Sequence, residues 1–396
     1  MLTLCLWASA APSIVYPFYA SQWGLSPAVT TAVFSTYPVV LVIVLVIFGN
    51  ISDHLGRRWA ILIGLGFLLL GALAFATAPD VGALFAGRVL QGVGVGFTVG
   101  AASAALVEYN PTANPALPGS LNTASQSVGL VLCTLVGGAL IVFAPAPLHL
   151  SYWVLVALIA VVGAFASRLP EVNQFGSAVG PWRPQGIRVP RSLIRVYVVA
   201  AAAVTTAFAM GSIFLALGAQ IARDVVGTTD ILLIGAVLSV SYLVIGGTAV
   251  GASRFRPRSS VVGGAAAAMT GLALLFAAAK LQSFPAFIAA AIICGIGYGL
   301  SMSGGIGLAS VSAPAHHRGR LLSAVFLVAY LVQGAIAFSA GLTATHTGLQ
   351  HAIGVFVPII GAIALASVVA VTATRSGVRR PSIARTEDPA VVTVGP

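Results

Sequence analysis

The sequence predicts an all-α polytopic membrane protein whose twelve transmembrane helices form two pseudo-symmetric bundles of six. Of its 396 residues, 59% are hydrophobic and 7% are charged, whereas about a quarter of the residues of a soluble protein carry a charge. Apolar runs of roughly 20 residues, long enough to cross a hydrocarbon core of about 30 Å, recur along the chain. A long polar stretch divides these runs into two sets. A soluble enzyme, a nucleic-acid-binding domain and a disordered scaffold are therefore excluded.

The apolar runs define the predicted helices. The first set lies near residues 2–20, 28–49, 58–78, 81–107, 119–143 and 148–167, and the second near 193–219, 230–252, 260–280, 285–311, 319–344 and 351–373. Only helices satisfy the backbone groups of a single segment in lipid, and strands of a membrane barrel would alternate in units of about 10 residues. We therefore predict an N-terminal six-helix bundle at 1–167, a linker at 168–192, a C-terminal six-helix bundle at 193–374 and a tail at 375–396.

The first run also has an interpretation as a secretory signal peptide, because Ala8-Ser9-Ala10 is a possible cleavage site. It lacks a positively charged leading segment, and its removal would leave eleven helices. We therefore expect a retained first helix and a start codon slightly upstream of Met1.

The basic residues predict the orientation, because cytoplasmic loops of membrane proteins are enriched in lysine and arginine. The net charge of +11 thus reflects topology rather than a nucleic-acid partner. We expect a multi-pass protein of the cell membrane, in contact with the lipid bilayer, with both termini, the linker and the tail in the cytoplasm. The arginines on that side are Arg57, Arg58, Arg168, Arg183, Arg188, Arg191, Arg195, Arg254, Arg256, Arg258, Arg318, Arg320, Arg375, Arg379, Arg380 and Arg385.

The chain offers no pattern for catalysis or for a cofactor. Cys5, Cys133 and Cys294 are scattered through apolar runs, as buried small hydrophobes are. No metal-ligand spacing, clustered nucleophile and base, or nucleotide-binding Gly-x-x-x-x-Gly-Lys-Ser/Thr loop is found. We predict a protein that is not an enzyme and that has no metal, no cofactor and no catalytic residues.

The two halves of the sequence resemble each other. Glycines alternate at residues 92–96 and again at 295–299, and the stretch at 49–62 corresponds to 251–264. Parallel six-helix repeats are a transporter architecture. The alternative is a likeness of composition alone, since small residues recur wherever membrane helices pack closely.

The loop after the second predicted helix reads GNISDHLGRR over residues 49–58. This spacing resembles the signature loop of the major facilitator superfamily. Its glycines permit close helix packing and a turn, and Asp53 can pair with Arg57 at a low-dielectric edge. The resemblance implies that the loop and an acid at the end of helix four form a charge latch. The alternative, basic residues that only fix topology, explains the arginines alone. The candidate latch residues are Gly49, Asp53, Gly56, Arg57, Arg58 and Glu108.

The fourth predicted helix contains the segment GRVLQG at residues 87–92. It resembles the superfamily's helix-four motif, which implies a role for Arg88 and Gln91 in coupling proton movement to transport. A charge within the bilayer is costly, so Arg88 is a functional candidate, although the corresponding residue of helix ten is Ala291. A guanidinium does not release its proton. Its acceptors must be Gln91, tyrosine hydroxyls or backbone carbonyls of helix one, which Pro12 and Pro17 could free, or water or substrate. The alternative is a structural arginine.

The fifth predicted helix relates the chain to the twelve-helix drug:proton antiporter branch. Its residues 129–138 read GLVLCTLVGG, which keeps the outer glycines of that branch but has Cys133-Thr134 in place of its central Gly-Pro. Without proline, a kink at this position loses its usual cause. The resemblance to the branch is therefore weaker than the resemblance to the superfamily.

Polar and aromatic residues within the predicted helices are candidates for a substrate cavity, since mostly apolar cavities with a few polar groups suit amphipathic molecules. The highest-ranked are Tyr16, Asn122, Gln126, Tyr330 and Gln333, because helices one, five and eleven line the cavity in the family. An aromatic residue in a membrane helix can equally serve packing alone. The candidates are Tyr16, Tyr19, Tyr37, Asn122, Gln126, Tyr298, Tyr330 and Gln333.

The sequence thus predicts a monomeric secondary transporter that exports small hydrophobic or amphipathic compounds, driven by protons, as one bundle rocks against the other. The first alternative is an uptake symporter or a facilitator of a small organic solute, for instance an anion paired with Arg88. The second is a transporter-like membrane sensor that moves nothing. No predicted helix carries an acid at its middle, so the proton carrier is left open.

Overall fold

A computed structural model describes residues 1–374 of the protein, apart from residues 26, 50, 113, 115–116, 147–148, 171–188, 219–220, 223–229 and 314. Most of the predicted linker and the whole predicted tail lie outside the described residues, as does the side chain of Asp53.

The described residues form twelve long helices and no strand. Each predicted apolar run falls on one of these helices. They are α1 (Leu2–Trp23), α2 (Pro27–Phe48), α3 (Arg57–Ala76), α4 (Val81–Glu108), α5 (Leu117–Phe143), α6 (Leu150–Ala166), α7 (Ile194–Ala216), α8 (Ile231–Ala252), α9 (Pro257–Leu281), α10 (Phe284–Ser312), α11 (Ala315–Thr347) and α12 (Leu349–Ala373). A short helix, Ile51–Leu55, joins α2 to α3, and a 3₁₀ turn, Arg191–Leu193, leads into α7.

Nine of these helices have enough described apolar residues to cross a membrane by length and composition. In the other three, α1, α2 and α6, the apolar stretches of described residues are shorter: Leu2–Pro12, Ala32–Phe48 and Leu150–Ala166. The protein is therefore a helical, multi-pass membrane protein.

Helix packing in the first half repeats in the second. Helix α4 packs against α2 and α3, and α10 packs in the same way against α8 and α9. Likewise α1 packs against α5 as α7 does against α11, and α3 packs against α6 as α9 does against α12. The halves meet where α5 contacts α8 and α10 and where α11 contacts α2 and α4. Two pseudo-symmetric six-helix bundles are thus confirmed, while their predicted limits at residues 167 and 193 stay a prediction.

The repeated glycines explain how the helices of each half approach so closely. A Cβ atom on any of the six would lie within 3.0 Å of an atom of the neighbouring helix. The outer glycines of each triplet face one neighbour and the central glycine faces another: Gly92 and Gly96 face α2 and Gly94 faces α3, while Gly295 and Gly299 face α8 and Gly297 faces α9. The repeated glycines therefore occupy equivalent packing positions in the two halves, so the internal repeat is more than a similarity of amino-acid composition.

We expect Gly94→Ala to destabilise the protein. The added Cβ would lie 2.7 Å from the carbonyl oxygen of Gly64 on α3, so the two helices would have to separate, at a cost of about 1–3 kcal/mol in the free energy of unfolding. Gly100→Ala on the same helix is the control, because a Cβ there has no neighbour within 4 Å. Thermal unfolding in detergent should show a lower Tm for Gly94→Ala alone. Equal Tm values would show that the contact between α3 and α4 adapts freely.

Helix α5 is irregular although it lacks the proline that would kink it. Residues Cys133–Gly137 form a π turn, and single π turns are a known cause of helix distortion. The turn lies against α8, where a Cβ on Gly235 would be 2.9 Å from the carbonyl oxygen of Thr134. The hydroxyls of Thr134 and Ser239 are hydrogen-bonded at 2.6 Å. Helix α5 is therefore distorted at this position without a proline, and the π turn is the local cause.

Candidate functional site

A cavity lies between the two halves of the molecule, and we call it the central cavity. It is bordered by α1, α2 and α5 of the first half and by α7, α8, α10 and α11 of the second. Four of the predicted substrate contacts line it: Tyr37, Tyr298, Tyr330 and Gln333. The wall is mostly apolar and strongly aromatic. Its aromatic residues are Phe34, Tyr37, Phe208, Phe214, Tyr242, Tyr298 and Tyr330, and its other polar side chains include Ser9, Ser241 and Gln333.

Four aromatic residues of the second half form a connected cluster around Phe208. The ring of Phe208 lies 4.7 Å from that of Tyr330, with a steep angle between the planes. Its distances to the rings of Phe326 and Tyr298 are 6.3 Å and 6.5 Å. Edge-to-face contacts of this kind are favourable for aromatic rings. Three members of the cluster, Phe208, Tyr298 and Tyr330, line the cavity and make its wall aromatic on the side of the second half.

The sequence alone did not identify Phe34, Phe214 and Tyr242 as cavity residues. No sequence signal marks these three residues. The internal repeat aligns Tyr37 with Ser241 rather than with Tyr242, because Gly92 meets the Tyr37 carbonyl where Gly295 meets the Ser241 carbonyl. Phe34 and Phe214 do not stand out either, because hydrophobic residues occupy every face of these helices.

The other four predicted substrate contacts lie elsewhere. Tyr16 binds Arg88, and Tyr19 is buried and stacks on Trp23 at 4.7 Å. Asn122 and Gln126 are buried between α5 and α4: the Asn122 amide donates to the Ser103 hydroxyl at 2.5 Å, and the Gln126 amide donates to Asn122. Their helix faces point into the first bundle, so these two residues hold α5 against α4.

Arg88 is completely buried and is the largest such side chain among the described residues. Its Nε donates to the Tyr16 hydroxyl at 2.5 Å. Its Nη1 donates to the Ser9 carbonyl at 2.8 Å and to Gln91 Oε1 at 3.2 Å. These are the kinds of acceptor that the sequence predicts. Its Nη2 has no hydrogen-bond partner among the described residues.

Gln91 extends this connection between α4 and α1. Its amide donates to the Ala8 carbonyl at 3.0 Å. The residue four positions on is Pro12, which has no N–H to donate back to Ala8. Because Pro12 leaves the Ala8 carbonyl without a helical donor, this carbonyl of α1 is available to accept from Gln91 on α4.

Aromatic rings surround the Arg88 guanidinium. The Tyr16 ring centre lies 5.3 Å from its Cζ atom, and those of Phe34 and Tyr37 each lie 5.7 Å away. A cation attracts the negative face of such rings, which offsets part of the cost of removing the charge from water. No acid among the described side chains pairs with Arg88.

The second predicted site, the loop between α2 and α3, contains an ion pair. Arg57 binds Glu108 at the end of α4, with Nη2 2.8 Å and Nε 3.1 Å from Oε1, and its Nη1 donates to the Ser52 hydroxyl at 2.6 Å. Both charged side chains are largely buried, at 11% and 16% exposure, so solvent screens the pair only partly. Gly56 has a φ of +87°, which favours glycine.

This loop also touches the other half of the molecule. The Ser323 hydroxyl of α11 donates to the Gly49 carbonyl at 3.2 Å, and a Cβ on Gly49 would lie 3.3 Å from that of Ser323. Arg58 lies over the Trp59 ring at 5.5 Å. The predicted pairing of Asp53 with Arg57 involves a side chain outside the described part of the structure and stays a prediction.

Several contacts close one end of the interface between the halves. We call this the basic end, because Arg57, Arg58, Arg254 and Arg256 lie there, beyond α2 and α8. The Asn114 amide donates to the Ser253 carbonyl at 3.2 Å, and the Ser303 hydroxyl donates to that of Thr123 at 3.4 Å. With the contact between Gly49 and Ser323, these bonds join the halves at the basic end in this conformation. Farther along α5, Ser127 donates to the Tyr242 carbonyl.

The remaining described acids lie at helix ends. Asp80 caps the start of α4 and Asp230 caps the start of α8, each accepting a backbone N–H. No group of three or more histidine, cysteine or acidic residues suited to a metal ion occurs within the described residues.

The chain is similar to one protein family, to several transporters in parts of its sequence and to a solved structure in its fold. The model of the Major Facilitator Superfamily matches residues 1–338. The myo-inositol transporter 3 of Cryptococcus neoformans var. grubii is 42% identical over 67 residues, which cover 17% of this chain and 11% of that protein. The gallate transporter of Pseudomonas putida is 36% identical over 110 residues, covering 27% of this chain and 24% of that protein. The match thus spans a quarter or less of either relative.

The crystal structure of the human organic anion transporter MFSD10 (TETRAN) superimposes with a TM-score of 0.70 at 15% sequence identity. The match covers 92% of this chain and 97% of that one. At this identity the likeness concerns the fold.

Proposed function

Because the chain belongs to the Major Facilitator Superfamily, we propose that it is a transporter rather than an enzyme and that it carries a small amphipathic organic compound through the central cavity by alternating access. The compound has an apolar, ring-sized part and few polar groups. The observation that carries this proposal is the aromatic cavity between the two repeated bundles. A mostly apolar wall with a few polar groups suits such molecules.

The position of the cavity supports the alternating-access mechanism. Both halves contribute to its wall, so a rotation of one half against the other would change the side from which it is reached. The hydrogen bonds at the basic end hold that end closed in this conformation. The basic end is cytoplasmic in our proposal, since most of the arginines lie on that side, and the protein acts as a monomer in the cell membrane.

The relatives that transport inositol, polyols and sugars make a polyol the second candidate substrate. Polyols need many hydrogen-bond partners, and the cavity wall supplies mainly tyrosine hydroxyls, two serines and Gln333. An amphipathic compound therefore fits this wall better than a polyol does.

The sequence resemblance implies proton-driven export. We propose a limited coupling to protons instead, for the following reason. Asp80 and Asp230 cap helix ends, and no acid among the described side chains lies at the middle of a helix. Any proton carrier must then be Asp53, Glu108, Asp224 (which lies outside the described residues) or a group of the substrate. We therefore propose that coupling depends on the substrate and that neutral compounds are driven weakly.

Purified protein in proteoliposomes with an imposed pH gradient tests this proposal against cationic, neutral and anionic ring compounds. We expect saturable uptake of at least one compound, with a KM that rises several-fold in Tyr330→Ala because a cavity ring is lost. Tyr197→Ala is the control, since Tyr197 does not line the central cavity. Absence of saturable flux for the whole panel would contradict the proposed function. A steep gradient-driven flux of a neutral compound that survives neutralisation of Asp53, Glu108 and Asp224 would contradict the coupling proposal.

A further inference from the structure

Arg88 carries a charge that no described side chain neutralises. Burying an uncompensated charge is costly, and helix packing alone does not require it here, because the equivalent position of α10 is the buried Ala291. The described acids are engaged elsewhere, with Glu108 on Arg57 and the two aspartates at helix ends. A negative charge supplied by a bound molecule would remove this cost.

Two of the three guanidinium nitrogens, Nε and Nη1, have acceptors and the third, Nη2, has none among the described residues. Tyr16, Ser9 and Gln91 accept from Nε and Nη1, whereas the two N–H groups of Nη2 have no partner in the described part of the chain. The Tyr16 oxygen accepts from Arg88, and its hydroxyl donates to none of the described residues. Nη2 and the Tyr16 hydroxyl thus form a pair of donors of the kind that two carboxylate oxygens bind.

These donors lie directly behind the wall of the central cavity. Phe34 and Tyr37 line the cavity and also lie over the guanidinium, and Ser9 both lines the cavity and binds Nη1. Rotation of these two rings would expose Nη2 to the cavity. No acidic side chain among the described residues lines the cavity, so an anion would meet no repulsion from its wall.

We propose that the transported compound is a monocarboxylate with an apolar ring. Its carboxylate binds Arg88 Nη2 and the Tyr16 hydroxyl after Phe34 and Tyr37 move aside, and its ring lies in the aromatic cavity. One arginine neutralises one charge, so monoanions are favoured over dianions. This inference rests on the proposed function and names its substrate class.

Three probes that share one ring test the inference: 4-hydroxybenzoate, 4-hydroxybenzamide and tyramine, which differ in carrying a carboxylate, a neutral amide or an ammonium group. Binding to the full-length protein in nanodiscs is measured by calorimetry. We expect the carboxylate to bind at least about tenfold more tightly than the amide, a difference of about 1.4 kcal/mol, and tyramine to bind most weakly.

The variants separate charge recognition from folding. Arg88→Gln should remove the preference for the carboxylate over the amide, and Tyr16→Phe should reduce it several-fold. Arg195→Gln, an exposed arginine at the start of α7, should leave it unchanged. If Arg88→Gln is not monodisperse, the selectivity of the wild-type protein and of Tyr16→Phe decides the matter. If the amide binds as tightly as the carboxylate or more tightly, the inference is overturned. The proposed function still stands in that case if other ring compounds show saturable flux. Absence of saturable flux for every compound would overturn both.

Discussion

Replacing Arg88 by lysine is expected to lower the maximal transport rate roughly tenfold or more while the protein still folds. Lysine keeps the charge but has a single nitrogen, which cannot bind Tyr16, Ser9 and Gln91 from one planar fork as arginine does. A hydrogen bond to a charged group contributes about 1.5–3 kcal/mol, so the loss of one of these bonds already corresponds to a tenfold change. Arg88→Ala is expected to abolish transport.

Initial rates of uptake into proteoliposomes, with the amount of inserted protein measured in parallel, check this expectation. Arg195→Gln serves as the control for a changed net charge. Near-normal flux in Arg88→Lys would show that a point charge suffices at this position. Near-normal flux in Arg88→Ala would reduce Arg88 to a structural residue of the contact between α4 and α1.

Glu108→Gln is expected to shift the protein away from the conformation that is closed at the basic end. Glutamine keeps the shape of the side chain but removes the charge that holds Arg57, and the loop bearing Gly49 then packs less firmly against Ser323 of α11. Conformational balances of this kind are commonly set by about 1–3 kcal/mol, so the population of the open form should rise several-fold or more. The unfolding temperature should change little.

Labelling of Ser303→Cys reports this shift, because Ser303 is buried against α5 at the basic end. The native cysteines, all buried, are replaced by alanine in this background. Glu108→Gln should accelerate the labelling, whereas Asp80→Asn, which retains a capping side chain at the opposite end of α4, should not. Unchanged labelling would leave the ion pair as a local feature of the first bundle.

The fold was predictable from the sequence for two reasons. An apolar segment must be long enough to cross the bilayer, and the repeated glycines require neighbouring helices to pack closely. The same physical necessity made the kinds of acceptor that bind Arg88 predictable. A buried guanidinium must have acceptors, and Gln91 lies one helical turn away, whereas the Ala8 carbonyl that Pro12 frees binds Gln91 rather than Arg88. In each case a residue type has few ways to satisfy its chemistry within a membrane.

Other features of the site depend on helix rotation and could not be predicted. Asn122 and Gln126 were expected to line the cavity, but α5 turns them toward Ser103 of α4. The face that an apolar helix presents to the cavity depends on its neighbours, since hydrophobic residues occupy all its faces. The π turn at Cys133–Gly137 likewise has no sequence marker such as proline. The backbone of the structure shows it, at the point where α5 packs against Gly235 of α8.

Reversible closure of the basic end by a disulfide tests most directly whether transport requires the two halves to move apart. Asn114→Cys and Ser253→Cys, introduced together into the cysteine-free background, place a thiol on each half where the Asn114 amide now meets the Ser253 carbonyl. Alternating access predicts that uptake into proteoliposomes stops when the disulfide forms, returns on reduction, and is unaffected by oxidation in either single variant. Uptake in fully cross-linked protein that is as fast as in the same protein after reduction of the disulfide would contradict the mechanism.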